Sequence, residues 1–279
     1  MRLFKALVPL KKHLDQQKLS SLGLVPTMGA LHDGHLALVK KALDENEKVV
    51  VTIFINPTQF DDTKDLDAYP KTLEDDLEKL ACFGEKLIVY APEVDDLYPK
   101  EAISEYYDFG ELDKTMEGGS RKGHFQGVAT IVQKLLRGIM PTKAYFGEKD
   151  YQQLAIIHAL VQQKELPVKI VDCPIVREKD GLAMSSRNRR LSKKQRVVAP
   201  KIYQLLSQVI EKKETQSIEE INRWVVAFFD QQPEFELDYF CIADARSLQP
   251  ILDKKTTQNT RAFIAVKMGE IRLIDNVKF

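Results

Sequence analysis

The spacing of apolar positions changes along this chain. Over residues 1–20, Leu7, Leu10 and Leu14 share one side of a helix, and Lys11, Lys12 and Lys18 form a solvated face. A short apolar run at 22–25 predicts a strand. Beyond it Leu36, Val39, Ala42 and Leu43 recur at helical spacing, so a helix opens at Gly34 or His35. The run at 48–55 is almost wholly β-branched and apolar, as a strand buried on both faces of a parallel sheet requires. A helix over 72–83, with Leu73, Leu77 and Leu80 inward, and a strand over 86–90 follow. Strand and helix thus alternate, which predicts a doubly wound parallel sheet of the Rossmann-like α/β kind.

From 92 to 127 the pattern weakens. Residues 114–127 are rich in glycine and polar donors and predict a loop, expected to be a mobile cover over a site. Val128, Ile131, Val132, Leu135 and Leu136 restore a helical stripe. A strand at 143–146, a helix through Leu154, Ile157, His158 and Val161, and a strand at 168–173 complete the alternation. Asp150 and Gln153 fit a capping box at that helix start, and His158 reads as structural. After Pro174 the alternation stops. Helices over 193–211 and 217–229 precede strands at 237–243, 261–267 and 271–274, which predicts a smaller C-terminal α+β domain. The expected domains are 1–175 and 176–279.

At 279 residues the chain can bury two cores. Lys plus Arg and Asp plus Glu number 41 each, so no global field favours nucleic acid or a membrane surface. Cys82, Cys173 and Cys241 are odd in number and far apart, and read as buried thiols of a reducing compartment. No apolar run is long enough to span a bilayer and no signal-peptide pattern opens the chain, so a cytoplasmic protein without membrane partners is expected.

The candidate chemistry lies between elements. A helix start at His32-Asp33-Gly34-His35 offers backbone N–H groups and the positive end of the helix dipole to an anion. Gly29 and Gly34 lack the Cβ that would hold a phosphate off the backbone. His32 and His35, three apart, can both donate to phosphate oxygens. The plain alternative is a capped turn with two surface histidines. A zinc pair is the other, but no nearby cysteine or glutamate completes a ligand set, so no metal-ligating residues are assigned. Residues 27–35, 56–60 and 147–153 each follow a predicted strand, at the edge where open α/β sheets bind ligands. Met184, Ser185, Ser186 and Arg187 can act as a lid, with Lys149 and Arg187 supplying charge for a polyphosphate. No serine, cysteine and histidine set suggests a covalent intermediate on the protein, so direct displacement is the simpler chemistry.

His32-Asp33-Gly34-His35 resembles the His-x-Gly-His motif of the nucleotidyl-transferring superfamily, which implies ATP binding and attack at the α-phosphate. Five stretches together are more specific. They are Pro26 through His35, Phe54-Ile55-Asn56-Pro57-Thr58-Gln59-Phe60, Tyr69-Pro70-Lys71-Thr72, Tyr145 through Leu154, and Gly181 through Asn188. Through them the chain resembles, almost end to end, the pantothenate synthetase family of ATP-dependent ligases that join pantoate to β-alanine. The resemblance places ATP on Met28, Gly29, Ala30, Leu31, His32, Asp33, Gly34 and His35, with His35 as acid. Further nucleotide contacts fall on Gly147, Glu148, Lys149, Asp150, Val176, Met184, Ser185, Ser186 and Arg187, of which Lys149, Ser185 and Arg187 join the histidines as catalytic. It places pantoate on Gln59 and Gln153, and further active-site positions on Asn56, Arg121 and His124. It implies Mg²⁺, a homodimer, and a pantoyl adenylate that the β-alanine amine attacks. Two rivals are a nucleotidyltransferase acting on a phosphate ester, against which neutral Gln59 and Gln153 argue, and a nucleotide-binding regulatory module without turnover.

Overall fold

In the computed structural model, which describes residues 1–253 and 259–279, the chain forms two units. The first comprises residues 1–109, 118–148 and 153–174, and the second residues 110–117, 149–152 and 175–279.

The first unit begins with strand β1 (Arg2–Phe4), helix α1 (Leu7–Asp15), β2 (Leu22–Thr27), α2 (Asp33–Glu45) and β3 (Lys48–Ile53). It continues through α3 (Thr63–Asp67), α4 (Leu73–Ala81), β4 (Leu87–Tyr90) and α5 (Val94–Leu97). The short α6 (Met116–Ser120) spans the point where the chain returns from the second unit. Then come α7 (His124–Ile139), β5 (Lys143–Gly147), α8 (Tyr151–Gln163) and β6 (Lys169–Cys173). Among the described residues the six strands form one parallel sheet in the order β1-β4-β3-β2-β5-β6. The apolar run at 49–53 is buried throughout, as its lack of a polar face demands. Val25, Leu31, Val39, Val51, Leu80, Val89 and Tyr145 share one core over that sheet. Strand order reverses between β2 and β5, the switch point at whose carboxyl edge such sheets bind ligands.

The second unit packs α9 (Lys193–Val198), α10 (Lys201–Lys212) and α11 (Ile218–Asp230) on an antiparallel sheet of β7 (Glu236–Asp244), β8 (Thr260–Met268) and β9 (Ile271–Lys278). Ile202, Leu205, Val209, Ile221, Val225, Ile264 and Val266 make its core. The expected α/β fold with a smaller α+β part is what the chain adopts.

Several local expectations are corrected. Residues 1–20 are not one helix: Arg2–Phe4 pairs in parallel with β4 as an edge strand too short to show alternation. The helix expected over 193–211 is broken, because Pro200 cannot donate to the preceding turn and instead caps α10. The loop expected over 114–127 holds α6 and the start of α7. Strand β9 runs past Ile274 through Asp275 and Asn276, residues that sequence propensity assigns elsewhere. The thiols are free, but only Cys173 is buried; Cys82 is exposed. Burial raises the Cys173 and Cys241 thiols to about 11, so neither is a thiolate at neutral pH. Among the described residues no helix is long and apolar enough to cross a membrane.

Candidate active site

The turn from β2 into α2 carries the two neighbouring histidines. His32 caps α2, and its carbonyl accepts from the amides of His35 at 2.8 Å and Leu36 at 3.1 Å. The His32 amide donates to Nδ1 of His35 at 3.4 Å, and the two rings lie 4.0 Å apart. An Nδ1 that accepts belongs to a neutral ring whose proton sits on Nε2. Asp33 and Gly34 form the first turn of the helix, one residue earlier than the pattern predicted.

What shapes this turn is a residue the sequence reading passed over. Asp76 on α4 is fully buried and accepts from the amides of Ala30 at 2.8 Å and Leu31 at 2.7 Å, and from Thr72 Oγ1 at 3.2 Å. Lys79, one turn on, donates to the Leu31 carbonyl at 2.9 Å. Helix α4 therefore holds the turn through both its donors and its acceptors. Gly29 has a second reason to be glycine: its φ is +79°, and a Cβ there would meet Asp76 Oδ2 at 3.0 Å and Ile53 at 3.1 Å. Its small size admits Asp76 beneath the turn. Asp76 shares the inward stripe with Leu73, Leu77 and Leu80, and a carboxylate in that stripe was the available signal.

The turn after β3 gathers a second group. Asn56 is buried; its amide donates to Gln59 Oε1 at 3.3 Å and to the Gly127 carbonyl at 3.1 Å, and its Oδ1 accepts from Tyr98 OH at 2.7 Å. Gln59 Nε2 in turn meets Met28 Sδ at 2.8 Å. The Gln59 carbonyl accepts from His124 Nδ1 at 2.7 Å, and His124 Nε2 lies 3.0 Å from Arg121 Nη1. A carbonyl only accepts and a guanidinium only donates, so His124 is the neutral Nδ1–H tautomer, committed at both nitrogens. Arg121 also reaches Asp61 at 3.2 Å. Met28, Asn56, Gln59, Arg121 and His124 thus stand together. Asn56 and His124 brace the cluster, and Gln59 is its exchangeable member, since a thioether is a weak acceptor that a substrate oxygen displaces.

After β5, Gly147 and Glu148 lead through a 3-10 turn, Glu148–Asp150, into α8. Gln153 lies in the first turn of that helix. Strands β3, β2 and β5 are neighbours, so the three clusters do leave one edge of the sheet from adjacent strands. His158 lies away from these clusters and meets Asp172 at 2.8 Å on the surface.

Residues 149–152 belong to the second unit. Lys149 Nζ lies 3.5 Å from Asp150 Oδ1. Gln152 is buried; it donates to the carbonyls of Leu112 and Thr115 at 2.7 and 2.9 Å and accepts from the Glu117 amide at 3.0 Å, binding 110–117 to this segment. Val176 and Met184 face each other across a hairpin, amide 184 to carbonyl 176 at 3.0 Å, that turns at Gly181 with φ +92°. Arg196 pairs with Asp180 at 2.6 Å and holds its carboxyl below the usual range. Ser185 caps a 3-10 turn, Ser186–Arg190, by accepting from the Arg187 amide at 3.3 Å, and Ser186 is buried.

The sequence profile of the pantoate-beta-alanine ligase family matches residues 2–278. A pantothenate synthetase of Flavobacterium psychrophilum is 48% identical over 268 residues, 96% of this chain and 94% of the relative. The crystal structure of pantothenate synthetase from Thermus thermophilus superposes with a TM-score of 0.91 at 40% identity, covering 100% of this chain and 99% of that one. The pantoate-beta-alanine ligase of Francisella tularensis, complexed with beta-gamma ATP and beta-alanine, gives 0.81 at 34% identity, covering 100% and 97%. With its sheet, its histidine-bearing helix start and its glutamine cluster in that setting, this chain belongs to the pantoate–β-alanine ligase family.

Proposed function

We propose that the protein condenses pantoate with β-alanine at the expense of ATP, giving pantothenate, AMP and pyrophosphate through a bound pantoyl adenylate. The observation that carries this reading is the pairing, on neighbouring strands, of an anion-binding helix start with a neutral amide cluster centred on Gln59. The pantoate carboxylate attacks the α-phosphorus of ATP, and the bond to the pyrophosphate oxygen breaks. His32, His35 and the first-turn amides of α2 donate to phosphate oxygens as charge spreads over them. Lys149 and Arg187 take the charge of the leaving pyrophosphate, Ser185 and Ser186 hold phosphate oxygens, and Val176 and Met184 line the nucleotide. Gln59 and Gln153 hold the hydroxyls and one carboxylate oxygen of pantoate, with Arg121 beside them. Neutral amides orient the carboxylate without neutralising it. The β-alanine amine then attacks the acyl carbon, and AMP leaves.

Among the described residues no group of three or more His, Cys, Asp or Glu side chains is arranged to hold a metal ion. On the family resemblance, we assign Mg²⁺ to enter with the nucleotide as MgATP. We assign a homodimer as the working assembly, on the family resemblance, and sedimentation velocity checks it.

The deciding experiment is positional isotope exchange between bridging and non-bridging oxygens of ATP. Exchange is expected only when pantoate is present, with no requirement for β-alanine. Exchange without pantoate, or equal turnover with a phosphorylated acceptor, would replace the ligase by a nucleotidyltransferase.

A further inference from the structure

We propose that Asn276 is a positioning residue for Lys149, a role that rests on reading Lys149 as a nucleotide-binding lysine. Asn276 lies on β9 and is 2% exposed. Its Nδ2 donates to the Lys149 carbonyl at 3.0 Å. Its Oδ1 accepts from Nη1 of Arg261, which is also buried. Its own amide donates to Asp275 Oδ1 at 2.8 Å, and Asp275 is held by Arg177 through two bonds of 2.6 and 3.0 Å. Arg261 also lies 4.1 Å over the ring of Tyr151. The 149–151 segment is thus gripped by β8 and β9 at two points, the Lys149 carbonyl and the Tyr151 ring.

Burying an asparagine, an aspartate and an arginine in one place carries a large desolvation cost, and well-packed apolar residues hold a sheet at least as well. What apolar residues cannot supply is a donor aimed at the Lys149 carbonyl. That carbonyl lies within the 3-10 turn Glu148–Asp150, so fixing it fixes the direction in which the lysine side chain leaves the backbone. A lysine ammonium is a compact charge on a flexible stem, and its effect on a transition state depends on where that stem begins.

Asn276→Asp separates the two bonds. The new side chain is isosteric and keeps an acceptor for Arg261, but it cannot donate to Lys149. Steady-state kinetics should show kcat/KM for ATP falling by about tenfold or more, with KM for pantoate changed by less than about twofold. In a Lys149→Ala background the same substitution should alter ATP kinetics by less than about twofold, because its route is gone. Asn276→Ser, smaller and uncharged, carries the same test should the aspartate variant fold poorly. Unchanged ATP kinetics in a folded Asn276 variant, or the same loss with and without Lys149, would overturn the positioning role. Lys149→Ala with wild-type ATP kinetics would instead overturn the reading of Lys149 itself.

Discussion

At the scale of single residues, the turn after β2 divides labour between two histidines proposed to meet the nucleotide and a buried carboxylate that holds the turn. His32→Ala and His35→Ala remove donors from a half-buried turn and also break the reciprocal cap at the start of α2, a loss of about 1 kcal/mol. Each should lower the rate of adenylate formation by about tenfold to a thousandfold, as loss of a transition-state donor does, while the melting temperature falls by only a few degrees, as loss of a helix cap does. Single-turnover pyrophosphate release with a parallel melt reads both. Asp76→Asn should behave differently. It preserves shape but puts an amide NH₂ where two backbone amides need an acceptor, so a buried donor is left unpaired. Unfolding in urea should show a loss of about 1–3 kcal/mol, accompanied by weaker ATP binding because the turn is no longer held. A stable Asp76→Asn protein with full activity would remove α4 from the account.

At the scale of elements, the approach of α7 to the turn Pro57–Gln59 is decided at one position. A Cβ on Gly127 would sit 2.1 Å from the Thr58 carbonyl oxygen and 2.7 Å from the Gln59 Cα. Backbone cannot yield as a side chain can, so Gly127→Ala must push the turn away and break the bond from Asn56 to the Gly127 carbonyl. The expected result is a raised KM for pantoate, by about tenfold or more, and a lowered melting temperature, with ATP binding alone little changed. Elsewhere, Glu45 at the end of α2 joins that helix to β5. It accepts from Lys143 Nζ and Tyr145 OH, each at 3.0 Å, and pairs with Lys41 at 3.1 Å. The bond from Lys143, then that from Lys41, holds its carboxyl at about 2. Because the folded value lies below the ordinary value of about 4.3, this stabilisation is present above about pH 4.3 and fades as pH falls towards 2. Urea melts of Glu45→Gln against wild type should therefore differ at neutral pH and converge in acid. The side chain is 31% exposed, so solvent screening keeps the difference small.

At the scale of the whole molecule, metal is expected to arrive with the substrate rather than to reside on the chain. Chelation of divalent cations should abolish turnover, and added Mg²⁺ should restore it fully. The melting temperature without nucleotide should not move, because on this reading the metal enters only with ATP. A chelator-induced fall in stability would reveal a protein-held metal and correct this assignment.

Much of this protein is determined by local sequence. The β-branched run at 49–53, the helical stripes and the Pro and Gly punctuation fix a parallel sheet followed by an α+β part, because periodicity and propensity act over a few residues. The carboxyl-edge placement of His32, Gln59 and Gln153 follows from the same alternation. Tertiary structure decided what depends on distant partners. Nothing near β1 marks it as a strand until β4 offers it an edge. Asp275 and Asn276 become strand residues only because Arg177, Arg261 and the Lys149 carbonyl satisfy their polar groups. Asp76 sits on an apolar stripe without evident reason until the amides of Ala30 and Leu31, over 40 residues away, converge on it. A buried polar group takes its meaning from the partner that compensates its desolvation, and that partner is set by the fold, not by the neighbouring sequence.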